Sequence, residues 1–216
     1  MARPRSDIAP RILHAARERF LSQGVDGASL REIAREAHTS IGMIYYYFPT
    51  KEALFLGVVE EVYARLLLDL EKLLAPDVPV EERVRRVARR IGEMSDDELT
   101  IIRLVVREAL VSSERRAMLL ERFARGHLPL IFQMIMEGRG TGAITTEHHP
   151  FALALSMAGI IFVPQVVRRL GGHAQAALIG VPSGVELADM LVDVLFDGIA
   201  AESRATARAE TETERA

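Results

Sequence analysis

The chain has no cysteine and no tryptophan, and only four tyrosines and eight phenylalanines among its 216 residues. Without cysteine there is no disulfide and no thiolate metal site, and a reducing compartment is compatible. No stretch alternates apolar and polar residues at the period of a strand, and no segment repeats. The spacing Gly138-x-Gly140-x-Gly142 follows a helical stretch and not a strand, so it reads as a turn and not as a phosphate loop. Glu147-His148-His149 has no further ligand close in sequence, and adjacent residues diverge on a helix, so it reads as a solvated helix start and not as a metal site. Ser, His and Asp are present without a nucleophile motif or a strand scaffold, so no catalytic residue is assigned and no enzyme is expected. Met1-Ala-Arg-Pro-Arg5 has no apolar run behind it, which argues against a signal peptide. The longest apolar stretch, Phe151 to Val167, is interrupted by Ser156, Pro164 and Gln165 and is expected to be too short and too polar to span a membrane. These absences lead to the expectation of a cytoplasmic protein with no cofactor and no membrane contact.

What is present is helical periodicity. Hydrophobic residues make up 49% of the chain, enough for one or two domains with real cores. Ile8, Ile12, Ala16 and Phe20 recur every four residues, with Ser6 or Asp7 as cap and Gly24 and Gly27 as the stop. Ser29 and Glu32 have the spacing of a capping box for a second short helix that buries Ile33 and Ala37. His38-Thr39-Ser40 makes a turn, a third helix runs from Ile41 to Tyr47, and Phe48-Pro49 ends it. Thr50 caps a long helix to about Leu74, whose seam is Leu54, Val58, Val62, Leu66, Leu70 and Leu74. Val80, Val84, Val87 and Ile91 mark a fifth helix, and Leu99 to Val111, apolar nearly all round, suggests a helix at the centre of a bundle. Glu114 to Arg139 holds one long helix or two joined near Gly126. Pro150–Leu170 and Ser183–Ala201 are the last helices, and residues 202–216 read as a disordered tail. The fold class is therefore all-α.

Net charge is −3, but residues 1–51 hold eight Arg and Lys against five Asp and Glu. This basic end meets three consecutive tyrosines, Tyr45, Tyr46 and Tyr47. Successive helical residues point about 100° apart, so three adjacent rings cannot all enter one small core. Ile44 and Phe48, four apart, are the core candidates, and Ile41 is divided between groove and partial burial.

Residues 8–55 resemble the DNA-binding domain of TetR-family transcriptional regulators. The resemblance lies in Ala-Ser-Leu-Arg-Glu-Ile-Ala-Arg-Glu-Ala (28–37), Ser40, Gly42, and Tyr45-x-Tyr47-Phe48-Pro49-Thr50-Lys51-Glu52-Ala53-Leu54. It implies an N-terminal three-helix helix-turn-helix domain, residues 1–52, on a C-terminal helical bundle for ligand binding and dimerisation, residues 53–201. Ile41–Tyr47 is then the recognition helix, laid in the major groove of a double-stranded DNA operator. The DNA-binding candidates are Ser29, Arg31, Thr39, Ser40, Ile41, Gly42, Met43, Tyr45, Tyr46, Tyr47 and Lys51, with Tyr47 and Lys51 on phosphates and Arg31 placed to read guanine. Arg3 and Arg5 form an arm on the backbone or minor groove. Many family members have Gly where this chain has His38, a basic residue where it has Ile41, and Thr where it has Met43. Base readout here would lean on thymine methyls, on Arg31 and on tyrosine hydroxyls.

The resemblance also implies an effector pocket in the body and a homodimer. The pocket candidates are Leu66, Ile91, Leu104, Arg107, Phe132, Met136, Met157 and Ile161, which suit a small, mostly apolar effector. Arg103 and Arg107 lie one turn apart in an otherwise apolar helix. The reading is left open between one of them facing a polar group of the effector and an internal ion pair with Glu108 or Glu137. The dimer candidates are Ala154, Ala158, Leu187, Leu191, Val194 and Leu195 in a bundle across a two-fold axis, the alternative being that both helices complete the monomer core. The expected function is a ligand-responsive repressor that binds a palindrome as a dimer. The other reading is a helical small-molecule binding protein that has lost sequence-specific DNA binding.

Overall fold

The computed structural model describes residues 7–170, 180 and 182–197. Arg3, Arg5 and the expected tail lie outside them. Among the described residues there are ten helices and no strand: α1 (Ile8–Gly27), α2 (Leu30–Glu36), α3 (Ile41–Tyr47), α4 (Lys51–Leu73), α5 (Val80–Gly92), α6 (Asp96–Val111), α7 (Ser113–Ala124), α8 (His127–Thr141), α9 (Pro150–Leu170) and α10 (Gly184–Asp197). Packing divides the chain into two compact units.

The first unit joins Met1–Asp69 to Ser95–His127. Its core takes Ile12, Ala16 and Phe20 from α1, Ile33 from α2 and Ile44 from α3. The α4 seam adds Leu54, Val58 and Val62, and Ile101, Leu104 and Leu119 come from α6 and α7. α1 packs on α2, α3 and α6, and α6 packs on α7. α1 is not straight: Gly24 has φ 77 and ψ 166, a kink ahead of its last residues. No Cβ tolerates that backbone easily, which is the physical reason for glycine at this point. Thr50 caps α4, its Oγ1 accepting from the Ala53 N–H at 3.0 Å. α6 departs from the central helix expected of it. Leu99, Ile101 and Leu104 are buried, but Val106, Leu110 and Val111 are exposed.

The second unit joins Leu70–Met94 to Leu128–Ala216. α10 packs on α5 and α9, and α5 packs on α9. Buried Arg83 donates to the Val78 carbonyl at 2.9 Å and pairs with Glu137 at 2.6 Å. The stretch expected between Glu114 and Arg139 is two helices, with the break at Arg125-Gly126. The three-glycine turn is narrower than expected. Gly138 and Gly140 lie inside α8, and only Gly142, at φ 78, occupies a turn. Gly138 sits where an added Cβ would meet Ile144 Cδ1 at 2.7 Å, so close packing accounts for that glycine. α9 has the expected bounds, but it is more apolar than its interruptions suggested. Over Pro150–Arg169 its mean hydropathy is 1.9, long and apolar enough to cross a membrane by length and composition, with 17% of that window buried.

Candidate nucleic-acid interface

The short helices α2 and α3 are too small to hold themselves; contacts to α1 and the core fix them. The turn between them places His38 at φ 50, a left-handed conformation uncommon for a residue with a side chain. Arg11 of α1 spans that turn, its Nη1 donating to the Ala37 carbonyl at 2.6 Å and the His38 carbonyl at 3.4 Å. This satisfies carbonyls at the C-terminus of α2, where a cation is also favoured by the helix dipole. Two turns along α1, Arg19 binds both Glu36 oxygens through Nε, at 3.0 Å each, and pairs with Glu32 at 3.1 Å. The Arg19 hydrogen bond holds the Glu36 carboxyl below the usual carboxylate range. Arg11 and Arg19 were not among the sequence candidates, because a residue that holds a helix across space leaves no mark in the helix it holds.

The capping box expected at Ser29 does not form. Ser29 stands at the N-cap position of α2 without a side-chain cap bond, and its expected partner Glu32 is engaged by Arg19. Ser40 does cap α3, its Oγ accepting from the Met43 N–H at 3.3 Å. One residue, Ile44, anchors α3 from behind at 1% exposure. Ile41, Tyr45 and Tyr46 face outward at 38%, 50% and 76% exposure. Tyr46 and Tyr47 meet edge-on with ring centroids 5.1 Å apart, a geometry in which one ring's positive edge faces the other's negative face. Arg31, Arg35, Ser40 and Gly42 are exposed, while Ser29, Thr39, Met43, Tyr47 and Lys51 are half-buried. At the start of α4 the Lys51 ammonium donates to the Asp26 carbonyl at 2.9 Å. An ammonium has three donors, so further donors remain for a phosphate. The result is a short helix with Ile41, Tyr45 and Tyr46 on its outer side, with exposed Arg31 and Arg35 on α2 and Lys51 at the start of α4.

The effector candidates divide between the units. In the first, Leu104 is in the core and Leu66 is half-buried. Arg107 is committed to the end of α1, donating to the carbonyls of Leu21, at 3.2 Å, and Phe20, and through Nε to Glu108 at 3.2 Å. The ion pair with Glu108 is therefore the arrangement found, and the Arg107 side chain remains exposed beside it. In the second unit, Met157 and Ile161 are buried, Ile91 and Phe132 are half-buried, and Met136 is exposed. A cleft of about 480 Å3 in the first unit is lined by His14, Arg17, Glu61, Val62 and Arg65, none of them an effector candidate. Of the six dimer candidates, Ala158 and Val194 are exposed and Ala154, Leu187, Leu191 and Leu195 are half-buried, while Met157 and Ile161 on α9 and Ala188 and Val192 on α10 are buried. Phe151, Leu155, Val163, Val167 and Met190 are exposed on the same two helices. Large apolar side chains on an outer face have the same spacing signal as those of a core face, so the sequence does not mark them apart.

Residues 12–58 match the model of the bacterial regulatory proteins of the tetR family. An uncharacterised HTH-type transcriptional regulator of Haemophilus influenzae is 26% identical over 102 residues, 47% of this chain and 54% of that protein. The HTH-type transcriptional repressor NicS of Pseudomonas putida is 43% identical over 53 residues, 24% of this chain and 25% of its own length. The chain thus spans about half of the first of these relatives and a quarter of the second. The crystal structure of the transcriptional regulator FadR from Bacillus subtilis, in complex with stearoyl-CoA, superposes with a TM-score of 0.68 at 18% identity, over 88% of this chain and 99% of that one. At that identity the likeness is one of fold.

Proposed function

We propose that the chain, whose residues 12–58 match the model of the bacterial regulatory proteins of the tetR family, is a DNA-binding transcriptional repressor, dimeric on a palindromic operator and released by a small, mostly apolar effector. One observation carries the DNA-binding reading: α3 is pinned by Ile44 and turns Ile41, Tyr45 and Tyr46 to solvent. Large rings exposed on a short helix have no role in the core, and the geometry is that of a helix entering a groove. Residues 1–52 form the head in this reading, and residues 53–201 take up the effector and the partner. The exposure of Tyr45 and the retention of Arg31, Tyr47 and Lys51 favour it over a carrier that has lost its operator.

Dimerisation is supported by α9 and α10. A helix as apolar as α9 with most of its length uncovered calls for a partner surface. A second copy offers the same surface across a two-fold axis, and a palindrome demands that symmetry. The effector shifts the population toward an arrangement of the heads that does not fit the operator.

Titration of palindromes from the gene's own upstream region, at two salt concentrations, tests the proposal. Binding that weakens steeply with salt is expected. Tyr46→Ala and Lys51→Ala should each lower affinity by about tenfold, with unchanged melting temperature. Full affinity in both variants would overturn the recognition-helix assignment. Fatty acyl-CoA thioesters of graded chain length, the class named with the Bacillus fold neighbour, are the first effectors to try. Dissociation of the DNA complex that strengthens with acyl length is the expected outcome.

A further inference from the structure

Buried Glu108 and Arg115 and exposed Arg107 bring their charges to one place, the kinked end of α1. The kink at Gly24 takes Val25 out of register with the turn before it. In an unbroken helix the Val25 N–H would donate to the Leu21 carbonyl. Here that N–H donates to Glu108 Oε1 at 3.3 Å, and the Leu21 carbonyl accepts from Arg107 Nη1 at 3.2 Å. The adjacent pair Arg107-Glu108 on α6 therefore supplies both halves of the missing helical bond, a cation for the carbonyl and a carboxylate for the N–H. Glu108 is buried and anchored in turn by Arg115 of α7, at 3.0 Å. Both Arg115 Nη atoms reach the Asp26 carboxylate, at 2.9 and 2.8 Å. The Asp26 main-chain carbonyl receives the Lys51 ammonium.

We propose that Glu108, Arg115 and Asp26 are positioning residues for DNA binding: they fix the segment Val25–Gly27, and through the Asp26 carbonyl they fix the place of the Lys51 ammonium. The inference rests on the DNA-binding reading above. It adds that a phosphate-facing cation of the head is held in place by charges on α6 and α7. Nothing in the recognition helix itself reports this dependence. Burial makes it firm, because a carboxylate and a guanidinium removed from water hold their geometry against competing solvent. The Arg115 hydrogen bond also keeps the Asp26 carboxyl below its ordinary range, so the contact stays charged at neutral pH.

A double-mutant cycle on the full chain tests it. Asp26→Asn is the primary variant, because the Asp26 side chain is 72% exposed and its neutral replacement leaves the core intact. Arg115→Met is the second, read only if its circular dichroism and melting curve show a folded protein. Each should lower operator affinity by about three- to tenfold, the scale of one lost orienting hydrogen bond. In a Lys51→Ala background the same substitutions should have no further effect, because their route to the DNA is gone. Equal losses in both backgrounds, or no loss in the wild-type background, would overturn the proposal while leaving the DNA-binding reading intact. Absence of salt-sensitive binding by the unmutated chain would overturn both.

Discussion

The half-buried ring of His127 shows what a single residue's surroundings decide. Its main-chain N–H donates to the Tyr63 hydroxyl oxygen at 3.2 Å, and its Nδ1 lies 2.9 Å from the same oxygen. Which of the two donates in that contact follows from the imidazole tautomer. Burial lowers the His127 pKa below the ordinary 6.5, and nearby Arg122, whose guanidinium lies over the Tyr63 ring at 4.5 Å, lowers it further. Above pH 6.5 the ring is neutral in both folded and unfolded chains. As pH falls below that, the unfolded chain takes the proton first, so stability drops until the folded pKa is passed. The melting temperature should therefore fall between pH 7.5 and 5.5, and His127→Asn should flatten part of that slope. Equal slopes in the two proteins would exclude His127 as a source. None of this was legible in the sequence, where His127 is one polar residue beside a glycine. The outward tyrosines were legible, because helical geometry alone forbids three adjacent rings from sharing one core.

Among the elements, α1 and α6 are where sequence reading and structure part most informatively. In the four-residue stripe of α1, Ile12, Ala16 and Phe20 are buried and Ile8 is half-buried, since periodicity is a local property. The kink at Gly24 and its repair by Arg107 and Glu108 join residues more than eighty positions apart, and no local pattern encodes such a pairing. Gly24→Ala should destabilise the chain by about 1–3 kcal/mol in urea unfolding, through backbone strain. Crowding would contribute little, since the nearest side-chain atom to the added Cβ is Glu108 Oε1 at 3.6 Å. A cost below a few tenths of a kcal/mol would mean that the kink relaxes. Caps show the same division. Ser29-x-x-Glu32 and Ser95-x-x-Glu98 spell the same signal, yet only the second closes a capping box. Arg19 reaches Glu32 from another helix and leaves the first box open.

At the scale of the whole molecule, the least satisfied feature is apolar surface on α9 and α10. Phe151, Leu155, Val163 and Val167 are exposed along α9, and Met190 and Val194 along α10. If a second copy covers them, sedimentation of the wild-type chain should give twice the monomer mass. Leu155→Glu combined with Val163→Glu should give the folded monomer. Operator affinity should then drop on the order of a hundredfold or more, because two half-sites are no longer engaged together. A double variant that stays dimeric would move the interface elsewhere.

The sequence by itself determined the helices, the head motif and the outward tyrosines. Each follows from spacing along one segment: the 3.6-residue turn, the cap before an apolar run, the Pro-x-Lys start of α4. The tertiary structure decided which charges meet. Arg11 closes the α2–α3 turn, Arg19 takes Glu32 from its cap, Arg107 binds the end of α1, and Asp26 joins Arg115 to Lys51. Long side chains of one charge have many partners of the other within reach in an unfolded chain. Packing of the apolar faces brings one of those partners within hydrogen-bonding distance, and that choice is made only when the helices are in place.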